Sequence, residues 1–180
     1  MKQPLNWKQI IFGLIIGIST IIFIAHCDST PPKSDKELYF TFYNDIVARM
    51  NDFDNKIKPF QNAVAVKEHL EAINIASSIE DDVTQLWSKL QGVSVPDLQN
   101  KTAQKELDQA KEYLSDAYFN KSQALKAFVE YSKKPSPYLM AKITKDSNQT
   151  QTLMLGGSAK LIAAGGELGL SIDQIKKGSL

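Results

Sequence analysis

The sequence predicts an all-α fold, an antiparallel helical bundle of about four helices following an N-terminal apolar segment, and three observations carry that prediction. Apolar residues recur every three or four positions through four long stretches, the period of a helix that buries one face. Connectors of two to six residues, several bearing proline or glycine, separate the stretches, and helices joined so briefly pack as antiparallel neighbours. No stretch shows the two-residue alternation of a half-buried strand.

The N-terminal segment comes first. Residues 1–8 hold Lys2 and Lys8 and no acid, and residues 10–25 then carry no charge. That order, charged and then apolar, is the order of an export signal. At about 1.5 Å per residue the uncharged run covers roughly 24 Å, short of a hydrocarbon core near 30 Å. The run closes on Ile24-Ala25-His26-Cys27, and Cys27 is the only cysteine of the chain.

These four residues resemble the lipobox of bacterial lipoproteins: an aliphatic residue, a small residue, a second small residue, and the cysteine that receives diacylglycerol. Ile24, Ala25 and Cys27 match; His26 stands where glycine, alanine or serine is usual. The resemblance covers residues 1–28. It implies a signal peptide over residues 1–26, cleavage between His26 and Cys27, and a lipid on Cys27 that anchors the body on the extracytoplasmic side of the cell membrane. Asp28 after the modified cysteine resembles an inner-membrane retention signal, which in a Gram-negative cell would leave the body facing the periplasm. A cleaved soluble export signal and an uncleaved signal anchor are the two alternatives.

Residues 27–33 follow as lipid attachment and flexible spacer, since Asp28 to Lys33 contains Pro31 and Pro32 and no apolar side chain to pack. The bundle is expected over residues 34–164. Ser34 with Glu37 three positions on is a capping-box pattern, and Leu38, Phe42, Ile46, Met50, Phe53 and Ile57 continue it as a first helix over 35–58. Pro59 disfavours helical geometry at Lys58 and suits a first turn, which predicts a boundary there.

The second helix is expected over 60–91, with Val66, Leu70, Ile73, Ser77, Val83, Leu86 and Leu90 on its buried face, ending at Gly92. Val93 and Val95 are expected to tuck under the bundle end. The third, over 97–133, has heptad-like spacing through Ala103, Leu107, Ala110, Leu114, Ala117, Ala124, Phe128 and Tyr131, interrupted once by Lys121.

A fourth helix is expected over 138–164, with a kink or loop where residues 144–152 lack any apolar side chain. If it is continuous, some of Asp146, Ser147 and Thr150 face the interior. Residues 165–180 read as a loose glycine-rich tail, in which Ser171 and Gln174 suit the cap of one short helical turn. With these boundaries the second and third helices outlast the first, and one end of the bundle would project as a bare hairpin.

Composition narrows the chemistry. Once Lys2 and Lys8 are removed with the signal, the remainder of the 21 basic residues balances the 20 acidic ones to within one charge, which argues against a nucleic-acid footprint. With Cys27 carrying lipid, His69 is the only residual histidine, and it lacks a second His or Cys at ligand spacing, so no metal or cofactor is expected. Glu80-Asp81-Asp82 reads as a solvated acidic patch, Ser158 has Lys160 where the second glycine of a nucleophile elbow belongs, and Gly165-Gly166 is not followed by a phosphate-loop lysine. No catalytic residue is assigned.

The predicted function is therefore a non-catalytic, membrane-anchored interaction or regulatory module with a protein partner in the cell envelope. A ligand-binding bundle or a small envelope enzyme is the alternative. Tyr39, Phe40, Phe42 and Tyr43 surround the first helix with rings, so Phe40 and Tyr43 are candidate partner-binding residues, against the plainer reading of a wide core face.

Overall fold

A computed structural model describes residues Lys33–Leu180. Cys27, the cleavage position and the spacer up to residue 32 lie outside the described residues. Among the described residues there are five helices: α1 (Asp35–Ala65), α2 (His69–Gln91), α3 (Lys101–Lys133), α4 (Pro137–Glu167) and the short α5 (Ile172–Lys177). Residues 34–180 form one compact unit. Ring contacts Phe53–Tyr118 and Phe60–Phe128 rise together along both chains, so α1 and α3 run parallel and α2 and α4 oppose them, an antiparallel bundle as expected.

The start of α1 follows its sequence signature. Ser34 Oγ accepts the Glu37 N–H at 3.4 Å while the Ser34 N–H donates to Glu37 Oε2 at 2.8 Å, satisfying two amides the helix leaves open. Beside it, the Asp35 carboxylate accepts the N–H groups of Gln99 (2.9 Å) and Asn100 (2.8 Å), pinning the connector 92–100 to the helix start. These two donors, Asn100 first, hold the Asp35 carboxyl below its ordinary value. A depressed carboxyl stabilises the fold above its unfolded value of about 3.9, and that contribution is lost as pH falls through the lower folded value. Asp35→Asn is expected to be less stable than the parent near neutrality, and the two unfolding midpoints should converge once acid has protonated Asp35 in the parent. Urea melts at several pH values check this; a constant gap would sink it.

α1 does not end at Pro59; it runs on to Ala65, and the second helix begins at His69 rather than at residue 60. Proline removes a hydrogen bond to Asn55 and crowds its carbonyl, but Pro59 and Asn55 are both exposed, where water satisfies that carbonyl. Burial of Ile57 and Ala63 and the Phe60 ring against Phe128, 5.0 Å between centroids, keep the chain helical past it. The helix stops instead at Lys67, left-handed at φ 62°. Lys67 N–H bonds Val64 O and Glu68 N–H bonds Ala63 O at 2.9 Å, a Schellman closure with lysine in the usual glycine place.

The buried face of α2 also differs from expectation. Ala72, Ala76, Ile79, Val83 and Leu90 are buried, whereas Leu70 is 80 % exposed and Val66 and Ser77 face solvent. α2 is the shortest long helix at 23 residues against 31, 33 and 31. The expected bare hairpin does not form, because α1 runs on to Ala65 and is longer than α2; Val93 and Leu98 of the connector enter the core. Asn100 caps α3, its Oδ1 accepting from Thr102 and Ala103.

α4 is continuous through the polar stretch and extends past Ala164 to Glu167. Its glycines are packing positions: a methyl group on Gly157 would lie 2.6 Å from Leu114 Cγ, and one on Gly165 2.5 Å from Ile175 Cδ1. Missing side chains let α4 lie close along α3 and let α5 dock. The tail is accordingly ordered. Gly169 (φ 69°) and Leu170 close α4 through bonds to Gly166 O and Gly165 O, Ser171 and Gln174 form the predicted capping box, and Asn44 Nδ2 donates to Gly178 O at 3.0 Å.

Two apolar clusters fill the bundle. One joins Tyr39, Phe42 and Ile46 of α1 to Leu107 and Leu114 of α3, Leu161 of α4 and Ile175 of α5. The other joins Phe53 and Ile57 to Ile79 and Val83 of α2 and to Tyr118, Leu125 and Val129 of α3. Met50 and Met154 touch both.

Candidate functional site

The candidate residues of α1 separate. Phe40 is buried, with its ring edge-on to Tyr39 at 5.2 Å, so the outward reading fails for it: the side chain is committed to the core. Tyr43 is half-buried and stacks on Tyr39 at 5.9 Å. It borders a shallow hollow with Val47, Met50, Ile172 and Ile175. Beneath it the Tyr39 hydroxyl donates to Leu161 O at 3.1 Å, and burial raises its titration above that of free tyrosine.

His69 is exposed at the start of α2. In the acidic run, Asp82 pairs with Lys56 of α1 at 2.6 Å while Asp81 faces solvent. Among the described residues no group of three or more His, Cys, Asp or Glu side chains is placed to hold a metal ion, and no helix is long and apolar enough to cross a membrane.

Continuity of α4 answers the question of Asp146, Ser147 and Thr150. Asp146 is buried and pairs with Lys142 one turn earlier at 2.6 Å. Thr150 Oγ1 donates to Asp146 O at 2.8 Å and approaches Ala117 O of α3 at 3.3 Å. Ser147 is exposed on the side toward α1.

The sequence reading missed a cluster centred on Lys121. Its ammonium pairs with Asp54 of α1 and lies over the rings of Tyr118 and Phe53, at 5.2 and 5.7 Å from their centroids. The Tyr118 hydroxyl donates to the other Asp54 oxygen at 3.0 Å. Burial first, and the Asp54 charge second, push the phenol above the free-tyrosine range. The signal was present: Lys121 breaks an otherwise apolar stripe, and such a lysine marks a specific partner across the core. Its partner, 67 positions away, is not visible in local spacing.

Beside this cluster the seam between α1 and α4 is open over a cavity of about 360 Å³. Ile57, Phe60, Val64, Leu125, Phe128 and Ile143 form its apolar lining, with Gln61, Lys121, Ser147 and Thr150 as its polar groups. It is the concave, largely apolar kind of surface that takes small ligands. Compared with protein-family models, with curated proteins and with solved structures, the chain matches none.

Proposed function

We propose that the chain is a lipoprotein of the bacterial cell envelope, anchored in the membrane through Cys27, whose helical bundle serves as a non-catalytic interaction or regulatory module for an envelope protein. The observation that carries this reading is Ile24-Ala25-His26-Cys27 at the end of an uncharged run preceded by Lys2 and Lys8. A thiol acylated there holds the chain at a bilayer, with more than one acyl chain giving stable attachment. Six polar or proline residues, Asp28 to Lys33, then separate the lipid from α1, and residues 34–180 have a core of their own. The body is extracytoplasmic, at the inner membrane if the cell is Gram-negative.

The test is the intact mass and N-terminal peptide of the protein recovered from bacterial membranes, compared with Cys27→Ala. The expected result is a chain beginning at Cys27 with acyl additions, absent in the variant, which should also leave the membrane fraction or retain its signal. A parent mass beginning at Met1 without acyl groups would overturn lipidation and leave a signal-anchored helical domain.

A further inference from the structure

The hollow beside Tyr43 stands toward the tethered end of the bundle. Tyr43 and Val47 of α1, Ile162 of α4, and Ile172 and Lys176 of α5 border about 220 Å³ of open space. Ile162 is 46 % exposed and Ile172 57 %, whereas Ile175 turns inward against Gly165. Ile172 and Lys176 are four positions apart and so share the outer face of α5. Lys177 follows, also exposed, and Lys36, seven positions before Tyr43, lies two turns nearer the tether on the same side of α1. Among the described residues none of these three lysines is paired with an acid. Asp173, in the first turn of α5, is the one acid that helix carries.

The spacer makes a bilayer the neighbour of this face. Tyr43 stands nine residues past Ser34, about 14 Å along α1. Asp28 to Lys33, six residues, reach about 20 Å when extended. A chain held in the membrane at Cys27 therefore brings the hollow to the surface by leaning over. A body on so short a linker has a millimolar effective concentration at the surface, so a patch too weak to recruit the free bundle suffices. Each lysine brought to an anionic surface strengthens association about fivefold. The side chains also suit a lipid boundary: isoleucines enter the acyl region, a lysine lays its stem along them with the ammonium among phosphates, and a tyrosine ring meets apolar and wet surroundings at its two ends. Acidic residues do not oppose this orientation. α2, with Glu71, Glu80, Asp81 and Asp82 against one lysine, packs on α1 and α3, whereas α5 packs on α4.

We propose that the face formed by Tyr43, Ile162, Ile172, Lys176 and Lys177 rests on the anionic surface of the membrane that holds the tether, laying this side of the bundle against lipid and leaving α2 turned away from it. The proposal rests on membrane anchorage of the chain and adds to it the side of the body that meets the bilayer.

The test uses the full chain, recovered from bacterial membranes and reconstituted in vesicles of phosphatidylethanolamine and phosphatidylglycerol. The photoreactive residue benzoylphenylalanine replaces Ile162, Ile172 or, as the control at the opposite end of the bundle, Leu70, which is 80 % exposed. Flotation with the vesicles reads the anchor, and the mass of the irradiated protein reads what the face touches. Phospholipid adducts at positions 162 and 172 are expected at no less than five times their yield at position 70. Lys176→Glu combined with Lys177→Glu, both at exposed positions, should cut those adducts at least fivefold while the chain still floats and keeps its far-UV circular dichroism and urea midpoint. A floating chain with equal adducts at all three positions, with adducts to a second copy in place of lipid, or with yields untouched by the charge reversal would overturn the proposal and leave anchorage standing. A chain that does not float would overturn both.

Discussion

Phe53→Ala is expected to lower the free energy of unfolding by about 3–5 kcal/mol, the usual range for removing a buried ring. Phe53 is fully buried and meets Tyr118 edge-to-face, 4.7 Å between centroids and 74° between planes. Such a pair adds about 0.5–1.5 kcal/mol beyond area burial. The ring also underlies Lys121 at 5.7 Å, so its loss leaves the ammonium and Asp54 above a void. Met50 and Met154 border the same cluster, and their flexible chains offer some relaxation, which favours the lower half of the range. Against a typical total of about 5–15 kcal/mol the loss is large. Urea unfolding should show a lower midpoint at unchanged slope, the signature of lost stability without altered compactness. A loss under about 1 kcal/mol would mean that Phe53 does not occupy the junction of α1 and α3.

Periodicity and caps made much of the bundle legible. Ser34 with Glu37 and Ser171 with Gln174 are capping boxes in the sequence and in the structure, because a cap involves residues three apart. What was not legible depends on residues far apart. Pro59 reads as a boundary by local geometry, yet Phe60 and Ile57 pack against α3 and carry the helix through it. The face of α2 was misread because Ala72 and Ala76 carry little apolar weight in a pattern, although their small size lets them sit in the interior. Burial of Phe40 likewise reflects a core wide enough to take rings from more than one side of α1. Of the groove, only Ser147 and Thr150 could be suspected, through the polar stretch of α4; its opposite wall is set by an α1 longer than the sequence suggested.

The glycines of α4 show the same contrast, and it yields a prediction with opposite signs. Glycine inside a helix costs about 0.5–1 kcal/mol relative to alanine, which is why the stretch from Gly165, with Gly166 and Gly169, reads as loose and why Gly156 and Gly157 weaken the helical pattern before it. At Gly157 an added methyl group would meet Leu114 at 2.6 Å from Cγ, 2.7 Å from Cδ2 and 3.3 Å from the backbone nitrogen. Rotating the leucine does not remove the backbone contact, so α3 and α4 must separate along the face that holds them together. Overpacking of this kind costs about 1–3 kcal/mol, and the nearness of backbone places Gly157→Ala at the upper end, a net loss of about 2 kcal/mol after the gain in helix propensity. At Gly166 a methyl group meets nothing within 4 Å, so only the propensity gain remains and Gly166→Ala should raise stability by about 0.5–1 kcal/mol. Thermal melts of the two variants check the pair. Stabilisation by both would mean that α4 does not lie against α3 at Leu114, and the close approach inferred for this pair of helices would have to be abandoned.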